Sequence, residues 1–111
     1  LQIRHFQVIE KDGMIIACIA CIPDEDDKVS EVACLAVHQD YQRAGLASQL
    51  LAIAEERSLK MDIKLLYTLT TRTSHWFLEH GFKQDHQFEL PSARRVSYNP
   101  ERGSKILLKS L

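Results

Sequence analysis

Apolar and polar residues alternate along the chain in blocks that predict strands near both ends and one long helix between them. The stretches FQVIE and MIIACIACI flank Lys11-Asp12-Gly13, and Asp-Gly suits the positive φ angles of a tight hairpin turn. We therefore expect two antiparallel strands joined at this turn. The polar stretch PDEDDKVS follows them, and its run of acidic residues is typical of a solvated loop.

The middle of the chain shows a strand, a helix and a second strand in succession. EVACLAVH, residues 31–38, is apolar at almost every position, as expected of a central strand that is covered on both faces. From Gly45 to about Lys60 the apolar residues recur at helical spacing, and KLLYTLT, residues 64–70, predicts the next strand. This succession favours a parallel strand pair with a right-handed crossover.

The last third of the chain adds shorter elements. Residues 74–80 predict a short helix, with Gly81 as its C-cap. Phe82 to Leu90 predicts a strand, and SKILLKSL closes the chain with another. The fold class that follows is α/β, with one mixed sheet of about six strands.

Length, charge and cysteine content narrow the function. The 111 residues give room for one domain with a hydrophobic core. The net charge of −1 offers no broad field for nucleic acid or an anionic membrane, so we expect small-molecule partners. The longest apolar run, Met14 to Ile22, is about half as long as a bilayer-spanning helix requires. Three cysteines cannot all pair with one another, which favours a reducing, cytoplasmic location.

The turn between the predicted central strand and the helix carries a candidate anion site. Residues 42–47, QRAGLA, have the form Q/R-x-x-G-x-G/A. Glycine at Gly45 leaves out the Cβ that would hold a ligand away, and the unpaired N–H groups of a helix start can bind a pyrophosphate. The alternative is a glycine that only starts a helix. The chain has neither GxGxxG nor GxxxxGK[ST], so dinucleotide and nucleoside triphosphate sites lose their main support.

With this loop in this position, the chain resembles the GCN5-related N-acetyltransferases, the GNAT family. The stretches EVACLAVH, LTTRTSHWFLEHGF and LPSARRVSYNPERGSKILL narrow the resemblance to the bacterial N-acetylglutamate synthases of that family. The resemblance covers nearly all the chain from about Phe6 onward. It implies a mixed, mostly antiparallel sheet in which one parallel strand pair splays apart, with flanking helices.

The resemblance also implies a reaction. Acetyl would pass from acetyl-CoA to the α-amine of L-glutamate by direct attack in a ternary complex, as the first step of arginine biosynthesis, without a metal. The residues that it assigns to the pantetheine arm lie on the strand, and those that it assigns to the pyrophosphate lie in the loop. They are Leu35, Ala36 and Val37 for the arm, and Gln42, Arg43, Ala44, Gly45, Leu46 and Ala47 for the pyrophosphate.

Two residues match catalytic positions of the family. Glu31 matches the general base that takes a proton from the amine; the alternative is an exposed carboxylate at the start of a strand. Thr70 matches a hydroxyl residue that protonates the departing thiolate or binds substrate, although threonine is also common in strands. His38 is a second candidate for the base. Phe77 stands where a tyrosine is frequent in the wider family and cannot donate a proton, so the acid must be another group or water.

Three further residues match substrate-binding positions. Arg94 and Arg102 have the planar fork that suits carboxylates, and glutamate brings two of them; the alternative is solvated surface charge. Cys34 matches a residue beside glutamate, and the alternative is a small buried hydrophobe. Cys18 and Cys21 form a C-x-x-C, but residues three apart in a strand point to opposite faces, so we expect no metal there.

The resemblance bears on the extent of the protein as well. Residues 1–111 are expected to form a single acetyltransferase domain at the C-terminal end of a longer chain, which would supply a further strand and helices before Leu1 and form a homo-oligomer. Two alternative functions stay open. One is an acetyltransferase for another amino acid or small amine, and the other is a non-catalytic acyl-CoA-binding sensor, which needs only the phosphate loop.

Overall fold

Six strands form one mixed sheet in the order β1-β2-β3-β4-β6-β5. The structure is a computed structural model and describes residues 2–111. The strands are β1 Phe6–Lys11, β2 Met14–Asp24, β3 Val29–Val37, β4 Leu65–Thr70, β5 Lys83–Gln84 and β6 Lys105–Ser110. The helices are α1 Leu46–Lys60, α2 Ser74–Glu79 and α3 Ser92–Arg95. Short 3₁₀ turns cover Ile3–His5, Gln39–Tyr41 and Pro100–Arg102.

The first two strands form the predicted hairpin. Asp12 and Gly13 occupy the turn with φ angles of 52° and 81°, which is the left-handed pair that a two-residue hairpin requires. A turn at residues 25–28 then leads into β3, so that β2 pairs antiparallel with both β1 and β3. The crossover through α1 then makes β3 and β4 parallel, as the sequence predicts.

Helices α1 and α2 cover one face of the sheet. The apolar stripe of α1 packs on the middle strands, and Phe77 of α2 is buried in the same core between the rings of Trp76 and Phe82. Helix α2 ends at Glu79 with His80 as its C-cap residue, so the prediction of Gly81 as the C-cap is wrong by one position. Gly81 follows with φ at 95° and reverses the chain after the helix. The other buried members of the core are Ala17, Ile19, Val32, Leu50, Leu51, Ala54, Leu66 and Leu107. None of the helices in residues 2–111 has the length and apolar content to cross a membrane.

A second cluster lies on the opposite face, over β4 and β6. Its buried members are Val29, Tyr67 and Leu90, with Phe88 packed against Tyr67 at a ring separation of 5.3 Å. The prediction of a strand over residues 82–90 is wrong beyond β5. The Asp85 carboxylate accepts the Gln87 N–H at 2.8 Å and turns the chain, so the following residues cross the sheet face instead of extending it.

Strand β3 differs from the prediction in where it begins and in how much of it is buried. It begins at Val29, two residues earlier than predicted, and its first four residues are buried. Ala33 and Ala36 are exposed and the other residues between Cys34 and Val37 are partly buried. The expectation of a strand covered on both faces therefore holds only for its first half, because Leu35 and Val37 pack against the α1 core while no residue from 33 to 37 contributes to the cluster on the other face.

Candidate active site

The central feature of the site is the place where β3 and β4 part. The two strands pair at three positions, and the last pair is Glu31 with Tyr67. Beyond it no strand in residues 2–111 pairs with this edge of β3. On its other edge, β3 stays paired with β2 as far as Val37. The second half of β3 therefore presents one free backbone edge to the opening between the strands.

Glu31 lies at the start of this opening, inside the protein. Only 9% of its side chain is exposed, and Arg94 Nε donates to its Oε1 at 2.8 Å. The Tyr67 hydroxyl lies 3.4 Å from the same oxygen, which is a weaker contact. The alternative of an exposed carboxylate at a strand start is therefore wrong. Glu31 Oε2 is the oxygen left without these two donors.

A cleft of about 190 Å³ opens beside the Glu31 carboxylate on the face away from α1. Its walls come from the end of β2, from β3 and β4, and from the short helix α3, which brings Arg94 over the sheet. The lining residues are Ile22, Pro23, Asp24, Glu31, Tyr67, Pro91, Ala93 and Arg94. An acid-base group and a cation therefore share one solvent-accessible cleft.

Tyr67 is the buried neighbour of this ion pair. Burial raises the pKa of its hydroxyl, and the negative charge of Glu31 raises that pKa further. The group is therefore a neutral hydroxyl throughout the physiological range. Sequence analysis missed Tyr67, although its alternation with Leu66 in β4 places it on the face opposite the α1 core.

Thr70 is buried at the end of β4, three residues beyond Tyr67, which is about 10 Å along a strand. Its Oγ1 accepts the Thr73 N–H at 3.0 Å and lies 2.9 Å from the Thr73 hydroxyl. The hydroxyl thus closes the turn before α2. Either threonine can be the donor in the hydroxyl pair, so Thr70 keeps the possibility of passing on its proton.

The loop that precedes α1 has the geometry of an anion site. Gly45 is the N-cap residue with φ at 74°, and no side chain caps the helix. A Cβ on Gly45 would meet no atom within 4 Å, so the space in front of the helix start is open. Gln42 Nε2 donates to the Val37 carbonyl at 3.3 Å and ties the loop to the end of β3. The first N–H groups of α1 therefore face accessible space.

The structure brings some predicted residues together and leaves others apart. Arg94 meets Glu31, whereas Arg102 lies exposed in a 3₁₀ turn and has no side-chain bond to either residue in the described part of the chain. His38 accepts the Asp40 N–H at 3.1 Å beside the phosphate loop. It stands seven residues beyond Glu31, about 23 Å along the strand, so it does not share the cleft.

Cys34 lies on β3 just beyond the parting point and is half-buried. Its neighbour across the β2–β3 ladder is Ala20, and burial together with the nearby Cys18 thiol raises the pKa of the Cys34 thiol. Cys21 packs with the core under α1, on the other face of the sheet. No three histidine, cysteine or acidic side chains within residues 2–111 are grouped closely enough to hold a metal ion.

A sheet whose central parallel strands part beside an open helix start is the architecture of an acyltransferase domain, and comparison with known proteins agrees. The model of the "Acetyltransferase (GNAT) domain" family matches residues 2–84. The chain belongs to this family.

Individual relatives indicate which kind of acetyltransferase the chain is similar to. An amino-acid acetyltransferase of Pseudomonas putida is 46% identical over 110 residues, and one of Pseudomonas aeruginosa is 44% identical; each match covers 99% of this chain and 26% of the relative. The chain thus spans about a quarter of the length of these curated relatives. The N-acetylglutamate synthase of Neisseria gonorrhoeae, solved with coenzyme A and N-acetylglutamate, superposes with a TM-score of 0.87 at 35% identity, over 96% of this chain and 26% of that one.

Proposed function

We propose that this chain carries the acetyl-transfer domain of an enzyme that converts acetyl-CoA and L-glutamate into N-acetylglutamate and coenzyme A, the first step of arginine biosynthesis. The observation that carries the proposal is the contact between Glu31 and Arg94 at the point where β3 and β4 part. It combines a proton acceptor with a cation suited to carboxylates, next to a free strand edge.

The acyl donor is proposed to lie along that edge. The pantetheine arm would form hydrogen bonds with the backbone of Leu35, Ala36 and Val37, which no strand of the described chain occupies on this side. The pyrophosphate would bind at residues 42–47, where α1 begins without a side-chain cap. The gonococcal synthase, solved with coenzyme A, supports this donor for a similar fold.

The reaction then consists of one nucleophilic attack, with proton transfers before and after it. Glu31 removes a proton from the substrate ammonium group, directly or through one water, and the amine nitrogen attacks the thioester carbonyl. As the bond from carbon to sulfur breaks, the nitrogen of the new amide releases its second proton to water. The thiolate takes a proton from Thr70 or from water, and a Thr70 that has donated regains its proton from water. A positioned base of this kind contributes about 10² to 10⁴-fold to the rate.

Recognition of glutamate is assigned to Arg94, Arg102 and Cys34. Arg94 uses Nε for Glu31 and Nη1 for the Ser97 hydroxyl at 2.9 Å, and its Nη2 has no protein acceptor among residues 2–111. An arginine has five N–H donors, so Arg94 can hold Glu31 and a carboxylate together. The curated relatives named amino-acid acetyltransferase support an amino-acid substrate, and the synthase with bound N-acetylglutamate supports glutamate.

The partners of the whole protein follow from the same proposal. Its substrates are the small molecules acetyl-CoA and L-glutamate, and no step of the mechanism calls for a metal, a nucleic acid or a membrane. A homo-oligomer and a cytoplasmic location stay predictions, because the matched segment is only about a quarter of the length of the curated relatives.

The test is a turnover assay of the full-length protein with acetyl-CoA and a panel of acceptors: L-glutamate, L-aspartate, L-glutamine and an amine without a carboxylate. Release of the coenzyme A thiol reports the rate. We expect the highest kcat/KM with L-glutamate. A higher value with another acceptor would identify a different acetyltransferase. Binding of coenzyme A without turnover of any acceptor would identify a sensor domain.

A further inference from the structure

A side chain ends the ladder between β3 and β4. After the last backbone pair, Glu31 with Tyr67, the next carbonyl on this edge belongs to Val32. That carbonyl accepts the Thr68 hydroxyl at 2.9 Å. Thr68 is buried, so water does not compete for the bond. A side-chain donor therefore takes the place that a backbone N–H of β4 would take in a continuing sheet.

A bond through a side chain fits a wider spacing between two strands than a direct backbone pair does. Neighbouring strands of a regular sheet lie about 4.8 Å apart when backbone groups bond directly. The Thr68 Oγ1 extends from its own Cα by two further bonds, so the Val32 carbonyl meets the hydroxyl before it can meet an amide of β4. The Val32 carbonyl already has a donor in this hydroxyl, so it does not need an amide of β4 to satisfy its hydrogen bond.

A second irregularity lies beside it on the other edge of β3. In the β2–β3 ladder, Ala20 pairs with Cys34 and Cys21 pairs with Val32, so Ala33 is an extra residue without a partner. A bulge bends its strand and increases the local twist. The bend diverts β3 as a whole, but it provides no hydrogen-bond donor for the Val32 carbonyl on the side of β4. The hydroxyl of Thr68 supplies that donor.

We propose that Thr68 is a positioning residue that holds β3 and β4 apart, so that the free edge of β3 beyond Val32 stays open to the pantetheine arm of coenzyme A. Thr68 acts through the Val32 carbonyl and needs no contact with the ligand. The inference rests on the proposed function for the identity of the ligand, while the spacing of the strands is a property of the protein alone.

The direct test is Thr68→Val, which keeps the branched shape of the side chain and removes its donor. The Val32 carbonyl then has to recruit an amide of β4, which extends the ladder into the opening, and coenzyme A must break that bond to enter. We expect the dissociation constant for coenzyme A, measured by calorimetry, to rise about tenfold, the effect of one hydrogen bond. Thr68→Ser restores the donor and should bind as the wild type does.

A matched control separates this effect from a loss of stability. Leu66→Val removes buried volume from the same strand, at a position where β4 is still paired with β3 through Ser30. It should lower the melting temperature and leave the affinity for coenzyme A unchanged. If Thr68→Val does not fold, Thr68→Cys keeps the size with a weaker donor and should show an intermediate affinity.

Hydrogen exchange tests the mechanism without any ligand. Extension of the ladder in Thr68→Val predicts slower exchange for β4 amides beyond Tyr67 than in the wild type, whereas general destabilisation predicts faster exchange throughout the sheet. Wild-type affinity in Thr68→Val, or an equal loss in Leu66→Val, overturns the proposal. Failure of the wild-type chain to bind coenzyme A would instead overturn the proposed function, and the exchange comparison would still decide the role of Thr68.

Discussion

Glu31 and Arg94 stand 63 residues apart in the chain, and Arg94 Nε donates to Glu31 Oε1 at 2.8 Å. The carboxylate is almost enclosed and the guanidinium is 27% exposed, so little water screens the pair. The proposed base and a proposed substrate-binding cation therefore form one unit. A change in either residue is expected to affect the other.

A double-mutant cycle measures this coupling. Arg94→Met leaves the Glu31 carboxylate enclosed without its cation, and we expect the free energy of unfolding to fall by about 1–3 kcal/mol at neutral pH. Glu31→Gln in the Arg94→Met background should recover part of that loss, because the uncompensated charge is gone. Urea denaturation of the four proteins gives the coupling energy. Strictly additive losses would mean that the contact does not stabilise the fold.

Coenzyme A binding should depend on Gly45 and not on a matched glycine elsewhere. Gly45 and Gly13 both have positive φ, and a Cβ on either would meet no atom within 4 Å. Valine at either position should therefore cost similar backbone strain, about 1–2 kcal/mol. At about 100 times its dissociation constant, coenzyme A raises the free energy of unfolding of a protein that binds it by roughly 2.7 kcal/mol. We therefore expect coenzyme A to raise the melting temperature of Gly13→Val but not that of Gly45→Val. An equal rise in both variants would exclude the loop as the pyrophosphate site.

Neighbouring arginines of α3 offer a matched comparison for substrate recognition. Arg94 reaches into the cleft, whereas the side chain of Arg95 has Ser92, at 3.5 Å, as its one hydrogen-bond partner within residues 2–111. Lysine keeps the charge but loses the fork, so Arg94→Lys should raise KM for glutamate about tenfold and leave KM for acetyl-CoA unchanged. The same result is expected of Arg102→Lys. Arg95→Lys should behave as the wild type does, and a similar rise in that variant would argue against a specific site.

The raised pKa of Tyr67 predicts a loss of stability in alkali. The folded protein keeps the Tyr67 proton at a pH where an unfolded tyrosine, with a pKa of about 10, releases its own. Above about pH 10 the unfolded state therefore binds fewer protons, and the free energy of unfolding falls by up to ~1.4 kcal/mol per pH unit. Tyr67→Phe should reduce this slope in urea titrations, and Tyr41→Phe, outside the cleft, should not. An unchanged slope in Tyr67→Phe would contradict the burial of that hydroxyl.

Hydrophobic periodicity predicts most of the fold because local and tertiary preferences agree there. The hairpin, α1, β4 and β6 lie within two residues of their predicted positions. The strand prediction for residues 82–90 fails although the pattern of FKQDHQFEL fits a strand. The turn at Asp85 and the packing of Phe88 on Tyr67 direct the chain across the sheet instead. The packing of Phe88 on Tyr67 is a tertiary contact that a local pattern does not contain, whereas the turn at Asp85 is a local signal that hydrophobic periodicity does not detect.

The candidate site was only partly visible in the sequence for a related reason. Gly45 and its neighbours carry a local motif, and Glu31 and Arg94 match family positions one at a time. Their contact depends on α3 crossing the sheet, which no spacing along the chain reveals. Tyr67 and Thr68 look like ordinary strand residues in KLLYTLT. Their contacts with Glu31 and with the Val32 carbonyl follow from the register of β3 and β4, which becomes known only when the strands are paired.

The central claim is that Glu31 removes the proton from the amine of the acceptor. The most direct measurement is the turnover of Glu31→Gln in the full-length enzyme, with L-glutamate and acetyl-CoA, across the pH range. Glutamine keeps the shape of the side chain without its basicity, so we expect turnover near neutral pH to fall about 10² to 10⁴-fold, with the affinity for coenzyme A nearly unchanged. Part of the loss should return at high pH, where the amine of glutamate deprotonates unaided, and His38→Gln should keep wild-type turnover. Wild-type turnover by Glu31→Gln at every pH would contradict the account and place the base elsewhere.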